Sequence, residues 1–223
     1  MRSTVVFSVD DGYRSVYTNI YPLMKKYGIT ITLGLVYNYL FYSKLSDNKS
    51  RAYLNVSEVQ EMIKSCGIEV ASHSLSHPFL TKISSNHAWN EIAHSKSLLE
   101  LLFNREVISF IYPYGDMNQS TQNLVKQAGY KLARTCLSGN PDFKKDPYRL
   151  PSFEIRIATK LQNIQDWILK HEVTILLLHQ IVKTPKFYTQ WSLSAFTELL
   201  KWIDNTDVHV LTLESMYKKN NRE

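Results

Sequence analysis

The chain has 223 residues, of which 44% are hydrophobic and 21% charged, the composition of an ordinary globular protein long enough to bury a large core. Its net charge of +6 would favour an anionic partner, but the lysines and arginines form no run longer than a pair, so no nucleic-acid partner is predicted. No apolar stretch approaches the roughly 20 residues of a membrane span. Cys66 and Cys136 lack the spacing of a disulfide framework or zinc site and are expected to be buried thiols.

Strands and helices are predicted to alternate along the whole chain. Apolar runs of strand length cover 4–9, 30–36, 68–73, 107–112, 131–135, 173–178 and 207–213. Apolar residues at helical spacing predict helices within 15–28, 57–67, 86–102, 119–128, 159–170 and 192–204. Ser57 is the expected N-cap of the second helix, Gly28 and Gly67 the expected ends of the first two, and 136–152 one long loop. About seven evenly spread units predict a single α/β domain over residues 1–223 with a mainly parallel sheet.

Chemically reactive side chains follow several of these strands. In a parallel α/β sheet the carboxyl ends of the strands share one edge, whether the sheet is a barrel or open, and active sites lie there. The segments concerned are FSVDDGYRS with Asp10 and Asp11, HSLSHP with His73 and His77, FIYPYGD with Pro113 and Tyr114, and ILLLH with His179. We therefore expect these side chains to meet in one site.

The pair His73 and His77 has the i, i+4 spacing that lets two imidazoles reach one metal ion. On this motif alone, two solvated loop histidines are the simpler explanation, because the chain contains seven histidines. Asp11 at the neighbouring strand end completes a set of one carboxylate and two imidazoles with open positions. Such a set is typical of a hydrolytic metal site.

The four segments, in this order, resemble the signature motifs of the polysaccharide deacetylase family, also known as the NodB-homology domain or carbohydrate esterase family 4. DDGYRSVYTNIYPLMKKYGI and YPYG are similar to the branch that contains the poly-β-1,6-N-acetylglucosamine deacetylases. The resemblance extends from about residue 3 to about residue 215. It implies a distorted (β/α) barrel of about seven units, in agreement with the number of units expected above.

The resemblance also implies a role for each motif residue. Asp10 would be the general base, Asp11, His73 and His77 would hold a divalent metal, and His179 would be the general acid, with the backbone N–H of Tyr114 stabilising the oxyanion. Amide hydrolysis needs a nucleophile, a site for developing negative charge and a proton for the leaving amine, which these groups would supply. The ligand set suits Zn²⁺, and Co²⁺, Ni²⁺ or Fe²⁺ would fit the same donors.

The sequence departs from the family pattern at several positions. Ile111 stands where many members have an arginine that orients the base, although the YPYG branch commonly lacks that arginine. Arg149 in YRLPSF, or Asp146, is a candidate for tuning the acid histidine. Leu177 matches the position that packs against the acetyl methyl group, and Pro113 belongs to the same substrate-side set.

Other aromatic and imidazole side chains are assigned no chemistry. Packing is favoured over sugar stacking for the aromatic residues that follow the second strand, Tyr37, Tyr39, Phe41 and Tyr42. Structural or surface positions are expected for the remaining histidines, His87, His94, His171 and His209.

The function predicted is a metal-dependent hydrolase that removes N-linked acetyl groups from N-acetylated sugars of a surface polysaccharide or its precursor. One alternative is a related hydrolase of a non-sugar C–N bond, allantoinase-like or acting on cyclic imides. Another is a catalytically silent glycan-binding module, against which the complete set of base, acid and ligands argues. No signal peptide precedes the first strand, so the chain as it stands is predicted to be cytoplasmic, or extracellular if it is a fragment of an exported protein.

Overall fold

The computed structural model describes residues 3–44 and 52–221. The strands are β1 (Thr4–Val9), β2 (Thr32–Leu35), β3 (Glu69–Ser72), β4 (Ser109–Ile111), β5 (Leu132–Arg134), β6 (Phe153–Glu154), β7 (Val173–Leu178), β8 (Gln180–Val182), β9 (Gln190–Ser192) and β10 (His209–Leu211). The helices are α1 (Tyr21–Tyr27), α2 (Val56–Cys66), α3 (Ser85–Phe103), α4 (Gln119–Gln127), α5 (Leu161–Lys170), α6 (Leu193–Asp204) and α7 (Leu213–Asn220).

All seven predicted strands and all six predicted helices are present. The first predicted helix begins as a π-helical turn over Val16–Ile20 before α1. Four elements were not predicted, namely β6, β8, β9 and α7. The three strands are two or three residues long, too short for an alternating pattern to be recognised, and α7 is mostly polar.

The main sheet has eight strands, all parallel. Its order is β5-β4-β3-β2-β1-β7-β6, and β10 also pairs with β1. On one side of β1, residues 4–6 pair with β10 and residues 8–9 pair with β2. The sheet therefore divides into two branches along this side of β1. All six residues of β1 are buried, as expected for a central strand covered on both faces.

The segment from residue 147 to residue 155 joins the two ends of this sheet. Leu150 forms a parallel bridge to Arg134 of β5, and its carbonyl accepts the N–H of Thr135 at 2.8 Å. A few residues on, β6 pairs with β7, and the N–H of Ile155 donates to Leu177 O at 2.9 Å. The sheet therefore curls into the expected distorted (β/α) barrel, closed by part of the loop predicted over 136–152.

The helix ends agree with the predicted signals except at one cap. Gly28 and Gly67 end α1 and α2 in the left-handed conformation, with φ of 61° and 59°. The N-cap of α2 is Asn55 and not Ser57, which lies inside the first turn. The Asn55 side chain accepts the N–H of Glu58 at 2.9 Å, and the Glu58 carboxylate accepts the N–H of Asn55 at 3.1 Å. This reciprocal capping box satisfies two N–H groups, which Ser57 could not do.

Cys66 and Cys136 are free thiols. Both were expected to be buried, but both are partly exposed. Partial burial still raises the pKa of each thiol. Among the helices of the described residues, none combines the length and the apolar character that crossing a membrane would require.

Candidate active site

The carboxyl ends of β1, β3 and β7 and the turn after β4 surround a cavity of about 510 Å³. The six residues to which the sequence assigns chemistry all line it, namely Asp10, Asp11, His73, His77, Tyr114 and His179. They are spread over about 170 positions of sequence and converge because parallel strands present their ends at one edge of the sheet. The expected clustering of these residues is therefore observed.

Asp11, His73 and His77 form the tightest group in this cavity. Asp11 Oδ1 lies 3.5 Å from His73 Nε2 and 3.4 Å from His77 Nε2, and the two Nε2 atoms are 3.0 Å apart. One donor atom from each residue lies within 4.8 Å of the others. Two imidazole nitrogens and a carboxylate oxygen directed at one point are the donors expected for a divalent cation such as Zn²⁺.

Hydrogen bonds fix the imidazole of His73 and the backbone that carries His77. The ring nitrogen Nδ1 of His73 lies 2.8 Å from the carbonyl oxygen of Ile111, which can only accept a hydrogen bond. Nδ1 therefore carries a proton, and Nε2 faces Asp11 and His77. Nε2 is thus the ring nitrogen that would bind a metal once its own proton is lost, the arrangement that metal-binding histidines commonly adopt. The loop is fixed at the other end, where the N–H of His77 donates to the Ser74 hydroxyl at 2.9 Å.

The backbone is strained where these side chains are presented. Of the five non-glycine residues with positive φ in residues 3–44 and 52–221, four belong to this site: Asp11 at 69°, Ser74 at 68°, His77 at 65° and Tyr114 at 59°. Such conformations are unfavourable for residues with a side chain and concentrate at functional sites. The surrounding fold thus stabilises a local geometry that the free chain would avoid.

The charges in the group match those of a cation site. Burial opposes ionisation of Asp11, but the hydrogen bond from His73 and the charges of His73, His179 and His77 lower its pKa to about 2. Burial and the neighbouring His73 lower the pKa of His77 to about 4. Burial also disfavours charged His73, but its hydrogen bond to Asp11 and the charges of Asp10 and Asp11 outweigh burial and raise its pKa. An ionised carboxylate beside a neutral imidazole fits a divalent metal.

Asp10 has a partner that was not predicted from the sequence, Arg134. Arg134 Nη2 donates to both carboxylate oxygens of Asp10, at 2.5 Å to Oδ1, and the arginine is wholly buried. Arg134 lies in β5 directly beside Ile111 of β4 in the strand register. Position 111 has an isoleucine where many family members have an arginine. Its neighbour in the strand register, Arg134, provides the guanidinium that contacts Asp10. A single arginine within the predicted buried strand KLART was the available signal, because an unpaired buried cation is very costly.

Gly34 of β2 provides the space that Asp10 occupies. A Cβ atom at this position would lie 2.7 Å from Cδ1 of Ile111 and 3.3 Å from Oδ1 of Asp10. Both contacts are tighter than those normally made by real side chains. The absence of a side chain here therefore lets the carboxylate reach Arg134.

His179 is half-buried in the cavity wall. Its Nδ1 atom is buried and has no hydrogen-bond partner among the described residues. The expected tuning residues are not at the site: Arg149 is exposed and Asp146 accepts a hydrogen bond from Gln122 at 3.1 Å, and neither lines the cavity. Both lie in the loop that turns back to close the barrel, and this places them away from His179.

Glu154 and Arg156 line the cavity instead, and neither was predicted from the sequence. Arg156 Nη2 forms an ion pair with Glu154 Oε2, and the guanidinium lies 3.7 Å from the centre of the Tyr188 ring. In the register of β6 and β7, Glu154 lies beside Leu177, two residues before His179. A two-residue strand offers no periodic pattern, so no sequence signal placed this pair at the site.

The remaining expected site residues differ in exposure. Tyr114 is 55% exposed, and its ring stacks on Phe79 with centroids 3.9 Å apart. In the turn around Tyr114, the N–H groups of Gly115 and Asp116 donate to Tyr112 O and Pro113 O. The N–H of Tyr114 takes no part in these two hydrogen bonds. Pro113 and Leu177 are buried and are not part of the cavity lining, so neither forms the substrate surface in this structure.

Tyrosines form much of the remaining wall. Tyr13 and Tyr53 stack with ring centroids 5.2 Å apart, and Tyr39 packs on Tyr53 at 4.3 Å. All three line the cavity, as does Tyr188. Packing was predicted for Tyr39, and it does pack, but it also presents surface to the cavity.

Comparison with known proteins gives a consistent result. The family model described as polysaccharide deacetylase matches residues 1–133. YxkH of Bacillus subtilis (strain 168), whose name assigns it provisionally to the polysaccharide deacetylases, is 28% identical over 146 residues, which is 66% of this chain. The aligned region is 49% of that protein, so the chain spans about half the length of this relative.

Solved structures share the fold. The Xyl-CE4 domain of a multidomain xylanase from the hindgut metagenome of Trinervitermes trinervoides has a TM-score of 0.69 at 18% identity, covering 100% of this chain and 93% of that one. The Streptococcus pyogenes deacetylase PplD in complex with acetate has a TM-score of 0.65 at 24% identity, covering 73% of this chain and 69% of that one. The barrel is thus the fold of carbohydrate esterase family 4 domains.

Proposed function

The chain belongs to the polysaccharide deacetylase family, and we propose that residues 1–223 form one catalytic domain that hydrolyses N-acetyl groups on the sugars of a surface glycan or its precursor. Deacetylation in this family depends on a metal ion. The observation that carries the proposal is the presence, in one cavity, of a three-donor cation site, a clamped carboxylate and a third histidine.

Asp11, His73 and His77 would hold the metal, with Zn²⁺ as the first choice. When bound, a divalent cation in such a site polarises the acetyl carbonyl and makes water a stronger nucleophile at neutral pH. Asp11 supplies the ligand charge, and the two imidazoles supply neutral nitrogen donors.

Asp10 would act as the general base. The carboxylate is held by Arg134 and has Oδ2 at 4.0 Å from His73 Nε2, so it borders the cation site without belonging to the three-donor group. A carboxylate fixed in this way can accept the proton of the attacking water without losing entropy on ordering, a role that typically contributes about 10²- to 10⁴-fold.

His179 would be the general acid. Because its Nδ1 is buried, Nε2 is the ring nitrogen available to give a proton to the departing sugar amine. The backbone N–H of Tyr114 would donate to the oxygen that develops negative charge. Tyr39, Tyr53, Tyr114 and Tyr188 in the wall offer flat apolar surface of the kind that sugar rings pack on, which favours a glycan over a small cyclic imide.

The test is acetate release from N-acetylglucosamine oligomers of chitin type, β-1,6-linked type and peptidoglycan type. We expect release by metal-loaded protein, loss of release with chelator, and loss with Asp10→Asn. If loaded protein releases no acetate from any of the three, the sugar deacetylase proposal is wrong. If chelation leaves the rate unchanged, the metal assignment is wrong.

A further inference from the structure

A second cavity, of about 480 Å³, adjoins the candidate active site. The two cavities are lined by consecutive residues of the same segments. Tyr188 and Thr189, just before β9, line the active-site cavity. The residues on either side of them, Phe187 and Gln190, line the second cavity. The second cavity therefore lies on the other side of a shared wall.

A short antiparallel pairing forms the rest of this wall. Tyr13 and Tyr53 form a β-bridge, and the N–H of Arg14 donates to Ala52 O at 2.8 Å. The stacked rings of Tyr13 and Tyr53 line the active-site cavity, whereas the neighbouring Arg14 and Ala52 line the second cavity. A glycan bound over the stacked tyrosines would reach both cavities.

The loop between β8 and β9 is ordered by a buried glutamine. Gln190 Oε1 accepts the N–H of Lys186 at 2.8 Å and that of Phe187 at 3.2 Å, and its Nε2 donates to Gln180 Oε1 at 2.6 Å. Exposed Lys186 and Phe187 are thereby held at the rim of the second cavity. The rim is thus built by buried hydrogen bonds, not by surface side chains alone.

Among the described residues, the charged side chains that line the second cavity have one sign. Arg14 and Lys186 are the charged residues among the described side chains that line it, and both are cationic. Arg14 donates through Nε to Glu58 at 2.8 Å, while its side chain remains 54% exposed. The rest of its guanidinium can therefore bind an oxyanion through the fork of N–H groups that suits carboxylate or phosphate. None of the ion pairs between described residues involves Lys186.

We propose that this second cavity binds an anionic substituent, a carboxylate or phosphate ester, on the sugar unit next to the one that is deacetylated. The proposal rests on the proposed function, because it places the acetylated unit in the first cavity. It identifies the preferred substrate as an acidic N-acetylated glycan and not a neutral one.

The experiment compares three matched oligomers: one alternating N-acetylglucosamine with its 3-O-lactyl ether, the same oligomer with its carboxyl groups reduced to alcohols, and the reduced oligomer carrying phosphate esters. We expect kcat/KM for at least one anionic oligomer to exceed that for the reduced oligomer by about fivefold at low salt. The preference should disappear at high salt, since exposed charges are screened. Which anionic oligomer is preferred distinguishes carboxylate from phosphate.

Lys186→Gln should abolish most of this preference through KM while leaving kcat on the reduced oligomer unchanged. Lys183→Gln is the matched control, because Lys183 is exposed in the same loop but does not line the cavity. Arg14→Gln should remove the remaining preference, with thermal unfolding recorded because Arg14 also contacts Glu58.

Binding of the same oligomers to metal-free protein, measured by calorimetry, separates this proposal from the proposed function. If no oligomer releases acetate but the anionic ones bind more tightly in a manner that depends on Lys186, the subsite stands and the deacetylase proposal falls. Equal kcat/KM and equal binding for all three oligomers would overturn the subsite. An identical effect of Lys183→Gln and Lys186→Gln would also overturn it, by showing that net charge alone is responsible.

Discussion

Two carboxylates at opposite ends of the sheet are equally buried but have different partners. Asp10 follows the carboxyl end of β1 and Glu69 begins β3 at the amino end, and each is 2% exposed. Asp10 is paired with the guanidinium of Arg134. Glu69 has neutral partners. Its carboxylate accepts hydrogen bonds from the Thr32 hydroxyl at 2.7 Å, from the Glu214 N–H at 2.9 Å and from the Ser109 hydroxyl.

The difference separates the carboxylate proposed to act as general base from one that contributes to the fold. Burial raises the pKa of Glu69, although the hydrogen bonds from Ser109, Glu214 and Thr32 act in the opposite direction. The bond to Glu214 joins the first turn of α7 to the sheet, and Glu69 lines neither the active-site cavity nor the second cavity. Asp10, in contrast, borders the group of Asp11, His73 and His77 and forms an ion pair with Arg134.

The largest expected effect comes from removing the charge of Asp10. Asp10→Asn should lower kcat/KM for acetate release by about 10²- to 10⁴-fold, because the proton acceptor is lost. Metal binding, measured by calorimetry, should persist, since Asp10 is not one of the three donors. Asp11→Asn is the control and should lose metal binding first. Activity of Asp10→Asn within tenfold of wild type would exclude the role of general base.

Changing the partner of Asp10 should have the next largest effect. Arg134→Lys keeps the charge but not the two-oxygen contact, so we expect a fall in kcat of about tenfold to hundredfold with little change in KM. Arg134→Leu leaves a buried carboxylate unpaired and should also destabilise the fold by about 3–5 kcal/mol. Steady-state kinetics and urea unfolding measure the two effects. A lysine variant with normal kcat would show that Arg134 stabilises the fold without positioning the base.

Crowding Asp10 from β2 should have a smaller effect. In Gly34→Ala the new methyl group would meet Ile111 and the Asp10 carboxylate, and we expect a fall in kcat of about tenfold with a loss of about 1–3 kcal/mol of stability. Gly28→Ala is the control: its φ of 61° makes an alanine there destabilising too, but a Cβ meets nothing within 4 Å and Gly28 does not line the cavity, so kcat should be unchanged. Equal kcat in both variants would show that the space beside Asp10 is not needed.

Neutralising Glu69 should affect stability and leave activity unchanged. Because the folded-state pKa of Glu69 is raised, its protonated form contributes stability that is present below the ordinary glutamate pKa and is lost as pH rises through the folded value. Glu69→Gln should therefore unfold at a higher temperature than wild type at pH 8, because the neutral amide avoids the cost of a buried charge. The gain should shrink toward pH 4.

Thermal unfolding at several pH values measures this effect. Glu198→Gln serves as the control, because Glu198 is exposed and paired with Lys201 on the surface. A gain for Glu69→Gln that does not change with pH would contradict the explanation by burial.

Much of the fold and of the site follows from local sequence features. The seven strands that carry clear apolar runs were predicted, because burial on both faces of a parallel sheet demands such runs. Asp10, Asp11, His73, His77, Tyr114 and His179 were predicted to meet, because each lies at or just after the carboxyl end of a strand. Their convergence needs only the parallel direction of the strands, which the alternation with helices implies.

Contacts between distant parts of the chain could not be predicted in the same way. Arg134 reaches Asp10 across 124 positions because β5 lies beside β4 in one register, and a shift of one residue would turn its side chain to the other face. Glu154 and Arg156 enter the cavity because residues 147–155 join β5 to β7. The second cavity likewise depends on the pairing of Arg14 with Ala52. Local patterns therefore specify which groups meet in the candidate site, whereas strand order and register specify which partners hold them.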